Sequence, residues 1–350
     1  MNIEDLQKIK TSLEEKDFNV FYYLPDTKNT PLFFVKRAYD FVKTLSQNGY
    51  KAHIVHENEK YTKPTWFNTE DVSHVSLNNN EIGFGPDDFI FVPETQIAFI
   101  NAILQNQISS KYILVADNYE YITDVLTPGA TWMDYGITDV VVTNDNMKQF
   151  IGNLFKKNFN YYNVPVYVSD TFKPFEGPKK PVVAFHSRNT ENFMRVVKQF
   201  YISNPNLRWV SFIDMRNMSE ETFAQHIRES AVAVWVDDVS SHGTFPLECF
   251  KSKTHLIGKI PNMPQEYVKV GTGVWVDNKD KLHEMIGTYM LYFIEDSLPK
   301  TVFDENLIEE IVQTYTYDKF QSALLSLMED QVNKRIQLVL KQIEDSIIVS

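Results

Sequence analysis

The chain has 350 residues, enough for two ordinary domains that each bury an apolar core. An apolar fraction of 43% with 14% aromatic residues excludes intrinsic disorder. The formal charge of −12 is shared by both halves, so the overall field holds the chain neither to nucleic acid nor to an anionic membrane, and only a local basic surface could bind a polyanion.

In chain order, the opening Met1-Asn2-Ile3-Glu4-Asp5 lacks the basic and apolar regions of a signal peptide. Phe18 to Leu24 reads as the first strand, followed by a polar loop and a helix over 31–47 with Pro31 at its first position and Gly49 just past its end. Strands are expected at Lys51 to His56, Asp88 to Val92, Lys111 to Ala116 and Asp139 to Thr143. Asp117-Asn118-Tyr119-Glu120 then stands at the end of the third of these. Strand-like and helix-like segments in alternation are the signature of a parallel sheet covered by helices.

Residues 173–181 combine three prolines, a glycine and several charges, a linker composition. The alternation then restarts: strand Val182 to Phe185, helix Glu191 to Tyr201, strand Arg208 to Ile213, helix Ser219 to Ser230, strand Ala231 to Val236, helix Phe245 to Lys251 and strand Thr254 to Ile257. From Leu282 onward helical periodicity takes over. Phe320, Leu324, Leu327, Val332, Ile336, Val339, Ile343 and Ile347 form one apolar face of a long helix, suited to the protein's own body or to a second copy. The expected organisation is an N-terminal Rossmann-like domain over 1–172, a linker over 173–181, a second Rossmann-like domain over 182–297 and a helical segment over 298–350. No run approaches the ~18 apolar residues of a membrane span. Cys249, the single cysteine, cannot form an internal disulfide and fits a buried thiol. A cytosolic protein is expected.

The most informative stretch is His242-Gly243-Thr244-Phe245-Pro246-Leu247-Glu248. Gly243 and Thr244 precede a helix opening at Phe245-Pro246, where backbone N–H groups could meet a phosphate, and Glu248 near the first turn could accept hydrogen bonds from ribose hydroxyls. Asp237-Asp238 also invites comparison with paired aspartates that hold a divalent cation.

This stretch resembles the donor-site motif of retaining GT-B glycosyltransferases of family four, which carries a Glu, seven residues and a second Glu around a Gly-Phe-x-x-x-Leu-Glu core. Glu248 matches the second Glu, and Leu247, Phe245 and Ile257-Gly258 match the flanking pattern, while Ser240 holds the first Glu position, with Asp237 or Asp238 as substitutes. His186-Ser187-Arg188 is similar to the family's Arg-containing loop that faces the donor diphosphate. The family's Lys five residues on is Phe193 here, so Arg195 or Lys198 would supply that charge. Tyr23-Leu24-Pro25 resembles the first acceptor-side loop without its glycine pair.

The resemblance implies a GT-B α/β fold of two Rossmann-like domains facing across a cleft. It implies transfer of a sugar from a UDP- or GDP-sugar with retention of configuration, and no metal or other cofactor. Arg188 and Lys198 would stabilise the leaving diphosphate, and Asp117, with Asn118 and Tyr119, would position the acceptor. His186, Ser187, Ser240, His242, Gly243, Thr244, Phe245, Leu247 and Glu248 would line the donor site with Arg188. The acceptor stays open: a glycan, a lipid-linked precursor, or a hydroxymethylated base in DNA reached through cations such as Lys156 and Lys157. A degenerate module that binds a nucleotide sugar or a partner without turnover is the non-enzyme alternative.

Overall fold

The computed structural model describes residues 3–79, 83–106, 109–237, 243–297 and 302–349. The chain forms two compact units, Met1–Pro165 together with Phe320–Ser350, and Val166–Lys319. The first contains α1 (Ile3–Glu15), β1 (Asn19–Tyr23), α2 (Phe33–Gln47), β2 (Lys51–His56), β3 (Ser73–Ser76), β4 (Phe89–Pro93), α3 (Ile97–Gln105), β5 (Lys111–Ala116), α4 (Tyr121–Asp124), β6 (Asp139–Val142), α5 (Asp145–Phe155) and β7 (Asn160–Asn163). The second contains β8 (Lys180–Ser187), α6 (Thr190–Ser203), β9 (Ser211–Asp214), α7 (Glu220–Glu229), β10 (Ser230–Val236), α8 (Phe245–Lys251), β11 (His255–Lys259), β12 (Val274–Val276), α9 (Leu282–Ile294) and α10 (Glu305–Thr314). A last helix, α11, spans Tyr317–Val349.

Each unit is built on one sheet with parallel neighbours, in the order β3-β2-β1-β4-β5-β6-β7 in the first and β12-β11-β10-β8-β9 in the second. Strands covered on both faces have no polar side to show, so β4 and β10 are buried from end to end and read as apolar runs. The edge strands β3 and β7 are largely part-exposed, with polar residues at both ends, and lack that signal. Pro31 lies ahead of α2, which starts two residues later than its proline suggests, with Leu32 in an extended conformation as N-cap. Gly49 does close the helix: its φ of 83° lets the amides of Gly49 and Tyr50 turn back to the carbonyls of Ser46 and Leu45.

The chain passes from one unit to the other at Pro165/Val166, ahead of the proline-rich stretch 173–181, because Val166 and Val168 are already buried in the second unit. There the Val168 amide bonds to the carbonyl of Tyr315. From Phe320 onward α11 belongs to the first unit. It buries Phe320, Leu324, Leu327, Met328, Val332 and Val339 and is pinned by Gln331, whose amide donates to Asp139 (2.9 Å) and to the Tyr162 hydroxyl (2.7 Å). Its apolar stripe ends in the open, with Ile347 58% exposed. Among the described residues no helix is long and apolar enough to cross a membrane.

Strand order sets where a ligand can sit. In an open parallel sheet, crossovers leave two neighbouring strands in opposite directions at one point and open a crevice at their carboxyl ends. That point lies between β1 and β4 in the first unit and between β8 and β10 in the second.

Candidate functional site

In the second unit the switch point is flanked by the residues that follow β8 and β10. Ser187 is buried, and its hydroxyl accepts from the Asn189 amide (3.2 Å) and from Asn192 Nδ2 (3.3 Å). Asn189 caps α6 by accepting from the Glu191 amide at 2.8 Å. This tight turn presents Arg188, whose Nε lies 3.3 Å from Asp237 Oδ2, just beyond β10. The carboxylate is buried, 5% exposed, while the guanidinium is 48% exposed. A fixed anion thus orients a cation that still faces solvent.

A second guanidinium, that of Arg216, stands two residues past the end of β9. Arg216 forks onto Asp214, with Nε 2.8 and 3.1 Å from the two carboxylate oxygens, and also donates to the Thr190 hydroxyl at the start of α6. This pair holds the Asp214 carboxyl below its ordinary range, so it stays ionised beside Arg216. Lys279 approaches the same helix start, with Nζ 3.2 Å from Asn192 Oδ1. Sequence reasoning missed Arg216 and Lys279. A cation immediately beyond a strand is the signal that could have marked Arg216, but the strand ends at Asp214, one residue later than its apolar run suggests.

His186 packs against two aromatic rings. Its ring stacks on Phe245 (4.9 Å between centroids, 23° between planes) and meets Phe223 edge-on, which ties β8 to the start of α8. Burial pushes its pKa down to about 4 despite the nearby carboxylate of Asp237, so the ring is neutral at pH 7. Phe245 and Leu247 are buried in the core, and Glu248 is half-buried one turn into α8. Thr244 is the N-cap of α8 without a side-chain bond to the helix. Gly243 is required by close approach: a Cβ there would lie 2.6 Å from the buried Trp235 indole, and its carbonyl accepts from the Tyr267 hydroxyl at 2.5 Å. Cys249 is buried, and burial raises its thiol well above its ordinary pKa, which makes it inert.

Lys198 stands apart from this group. It is exposed, ten residues beyond Arg188 in the sequence, and at 1.5 Å per residue lies roughly 12 Å along α6 from the helix start. Arg195 is likewise exposed further along the helix. Ser240, His242 and Asp238 lie outside the described residues.

Asp117 belongs to the first unit, where it follows β5. Its Oδ1 is 2.9 Å from Arg37 Nε, both side chains are buried, and Arg37 Nη2 also donates to the Val164 carbonyl at 2.9 Å. Glu94 follows β4 at that unit's switch point and accepts from the amides of Asn118 (3.0 Å) and Asp117 (3.4 Å). Asn118 closes the turn onto the Glu120 amide, and Tyr119 is buried edge-on to Phe150. Glu94 was not anticipated, although a lone acid directly behind a buried apolar strand is a readable mark.

Burial, and then the neighbouring Asp117, raise the Glu94 pKa from its ordinary 4.5 to about 8. Burial raises Asp117 too, but Arg37 offsets part of this, so Asp117 is the member of the pair that ionises and Glu94 keeps the proton. A folded-state pKa above the unfolded one means that the native state binds the extra proton. The resulting stability is complete below about pH 4.5 and is lost as pH rises towards 8. Urea midpoints measured across this interval are expected to fall with pH, and Glu94→Gln is expected to flatten the decline. An unchanged slope in the variant would assign the dependence to another group.

No family model matches the chain. It is 22% identical over 245 residues to an alpha-1,6-glucosyltransferase of Actinobacillus pleuropneumoniae serotype 7 (strain AP76), a match covering 69% of this chain and 72% of that protein. Sucrose-phosphate synthase from Thermosynechococcus elongatus superposes with a TM-score of 0.64 at 11% identity, covering 91% of this chain and all of that one. HepE from Anabaena, solved with UDP and glucose, superposes with a TM-score of 0.59 at 10% identity over 89% of this chain and all of that one. The two parallel α/β units with their helical C-terminal segment are the fold of GT-B glycosyltransferases.

Proposed function

We propose that the chain is a glycosyltransferase that moves a sugar from a nucleotide-sugar donor, a UDP- or GDP-sugar, to a hydroxyl acceptor. The observation that carries this reading is that Arg188, held by Asp237, and Arg216, held by Asp214 and donating to Thr190, follow the carboxyl ends of the neighbouring strands β8 and β9 on either side of the start of α6. Two oriented guanidinium groups fit a diphosphate and would stabilise the charge that develops on it as the glycosidic bond breaks. The match to the glucosyltransferase of Actinobacillus and the fold shared with HepE, solved with UDP, support the same class of donor. Glu248, half-buried on α8, is the group proposed to accept from the ribose hydroxyls.

Transfer proceeds in this reading with retention at the anomeric carbon and without an essential metal, the cationic side chains supplying the charge that a divalent ion would otherwise supply. Titration calorimetry with UDP, GDP, ADP and their sugars tests donor binding, and Glu248→Ala is expected to weaken it about tenfold, the loss of one or two hydrogen bonds. No binding of any donor, together with unchanged behaviour of the variant, would overturn the proposal. Proton NMR of the anomeric product and turnover in the presence of a chelator address retention and metal independence. Ser240 at the first Glu position favours one other reading, a donor-binding module without turnover, which transfer from any labelled donor removes.

A further inference from the structure

The outer face of α6 carries a surface that the donor site does not use. Met194, Arg195, Lys198 and Ile202 recur at spacings that place them within about 100° of one another around the helix axis, opposite the buried Val196 and Phe200. Just past the helix end, after a single 3₁₀ turn at Pro205–Leu207, Arg208 and Trp209 follow. Ile202 is 80% exposed, Trp209 50% and Met194 47%, large apolar side chains left in water side by side with cations. Arg195, Lys198 and Arg208 have no acidic partner among the described residues. The one acid on the same helix stripe is Glu191, in the first turn, so the face keeps a surplus of positive charge in a chain whose formal charge is −12.

Between the helix end and the turn lies a shallow cavity of about 510 Å³ lined by Tyr201, Ile202, Pro205 and Arg208. Its neighbouring polar atoms are already satisfied inside the protein: the Tyr201 hydroxyl donates to the Val210 carbonyl at 2.6 Å, and the Trp209 indole N–H donates to the Asn206 carbonyl at 3.0 Å. The rings can therefore enter an apolar medium without stranding a donor, and the guanidinium of Arg208 is left as the charged group at the cavity.

We propose that this face docks the second unit on an anionic lipid bilayer, with Met194, Ile202 and Trp209 entering the headgroup and upper acyl region and Arg195, Lys198 and Arg208 facing lipid phosphates. Exposed aromatic and aliphatic side chains interleaved with unpaired cations are the composition that binds such an interface, where neither charge nor apolar area alone holds a protein firmly. Charge complementarity selects the bilayer as occupant: the rest of the chain is acidic and would be repelled by lipid phosphates, so the positive face sets which side approaches.

The test is co-sedimentation of the full chain with vesicles of phosphatidylcholine alone and with added phosphatidylglycerol. Binding is expected only to the anionic vesicles and to decline with salt. Arg195→Gln, Lys198→Gln and Arg208→Gln combined, and separately Ile202→Ser with Trp209→Ser, are each expected to weaken it at least tenfold. All these positions are exposed, and circular dichroism of each variant confirms that the fold is kept. Absence of binding to anionic vesicles overturns the proposal. So does binding that both variants leave intact, or capture by a soluble polyanion such as heparin with no vesicle binding.

Discussion

Replacing Arg37 by methionine is expected to destabilise the first unit by about 3–5 kcal/mol, the cost of breaking a buried ion pair from one side. Arg37 is 3% exposed and Asp117 6%, so the carboxylate is shielded from bulk water and relies on the guanidinium for its counter-charge. The substitution leaves the Asp117 carboxylate without its counter-charge 2.9 Å away and removes the donor to the Val164 carbonyl. Methionine fills much of the arginine's volume, so the loss reports charge and hydrogen bonding more than a cavity. Replacing both members, Arg37→Met with Asp117→Leu, is expected to recover a large part of the loss, because the uncompensated charge then disappears. Urea denaturation followed by circular dichroism measures both. A single variant within 1 kcal/mol of the parent would show that the pair carries little.

Replacing Arg188 by alanine is expected to lower kcat/KM for the proposed transfer by about 10²–10³-fold, the usual loss when one oriented donor to developing charge is removed. The effect follows from orientation: Asp237 is buried and holds the guanidinium at 3.3 Å, so its position is set before a ligand arrives. Arg188→Lys keeps the charge but not the planar fork and is expected to recover only part of the activity. Asp237→Asn leaves the arginine in place with a weaker hold and is expected to fall between parent and alanine variant. Steady-state rates with a labelled donor, read beside nucleotide affinity, separate a loss in transfer from a loss in binding. Full activity in Arg188→Ala would remove this arginine from the chemistry.

Both predictions concern residues whose neighbours are far away in the chain, and this marks how much of the site could be read beforehand. Arg188 stands in a turn that its sequence context makes conspicuous, between a buried strand and a well-capped helix. Its partner Asp237 becomes a neighbour only because β10 returns to lie beside β8. Arg37 and Asp117 looked unrelated, one within a helix and the other after a strand. Residue pattern places Lys198 on a helix, but which side of that helix faces water depends on what the helix packs against. Val196 and Phe200 face the core, and Lys198 is left outside.

The alternation of strands and helices is legible in the residues alone, and in places so are the element boundaries: β2, β5 and α8 begin and end where their residues suggest. A strand buried on both faces must be apolar throughout, and a helix start must satisfy its own amides, so these signals are local. The rest depends on contacts between distant parts of the chain. The edge strands β3, β7 and β12 follow from backbone pairing with a neighbour, which side-chain pattern does not encode. The return of α11 to the first unit rests on Gln331 meeting Asp139 and Tyr162. The grouping of Arg188 with Asp237 and of Arg216 with Thr190 comes from strand order, which brings together chain segments tens of residues apart and so leaves no mark within any one of them.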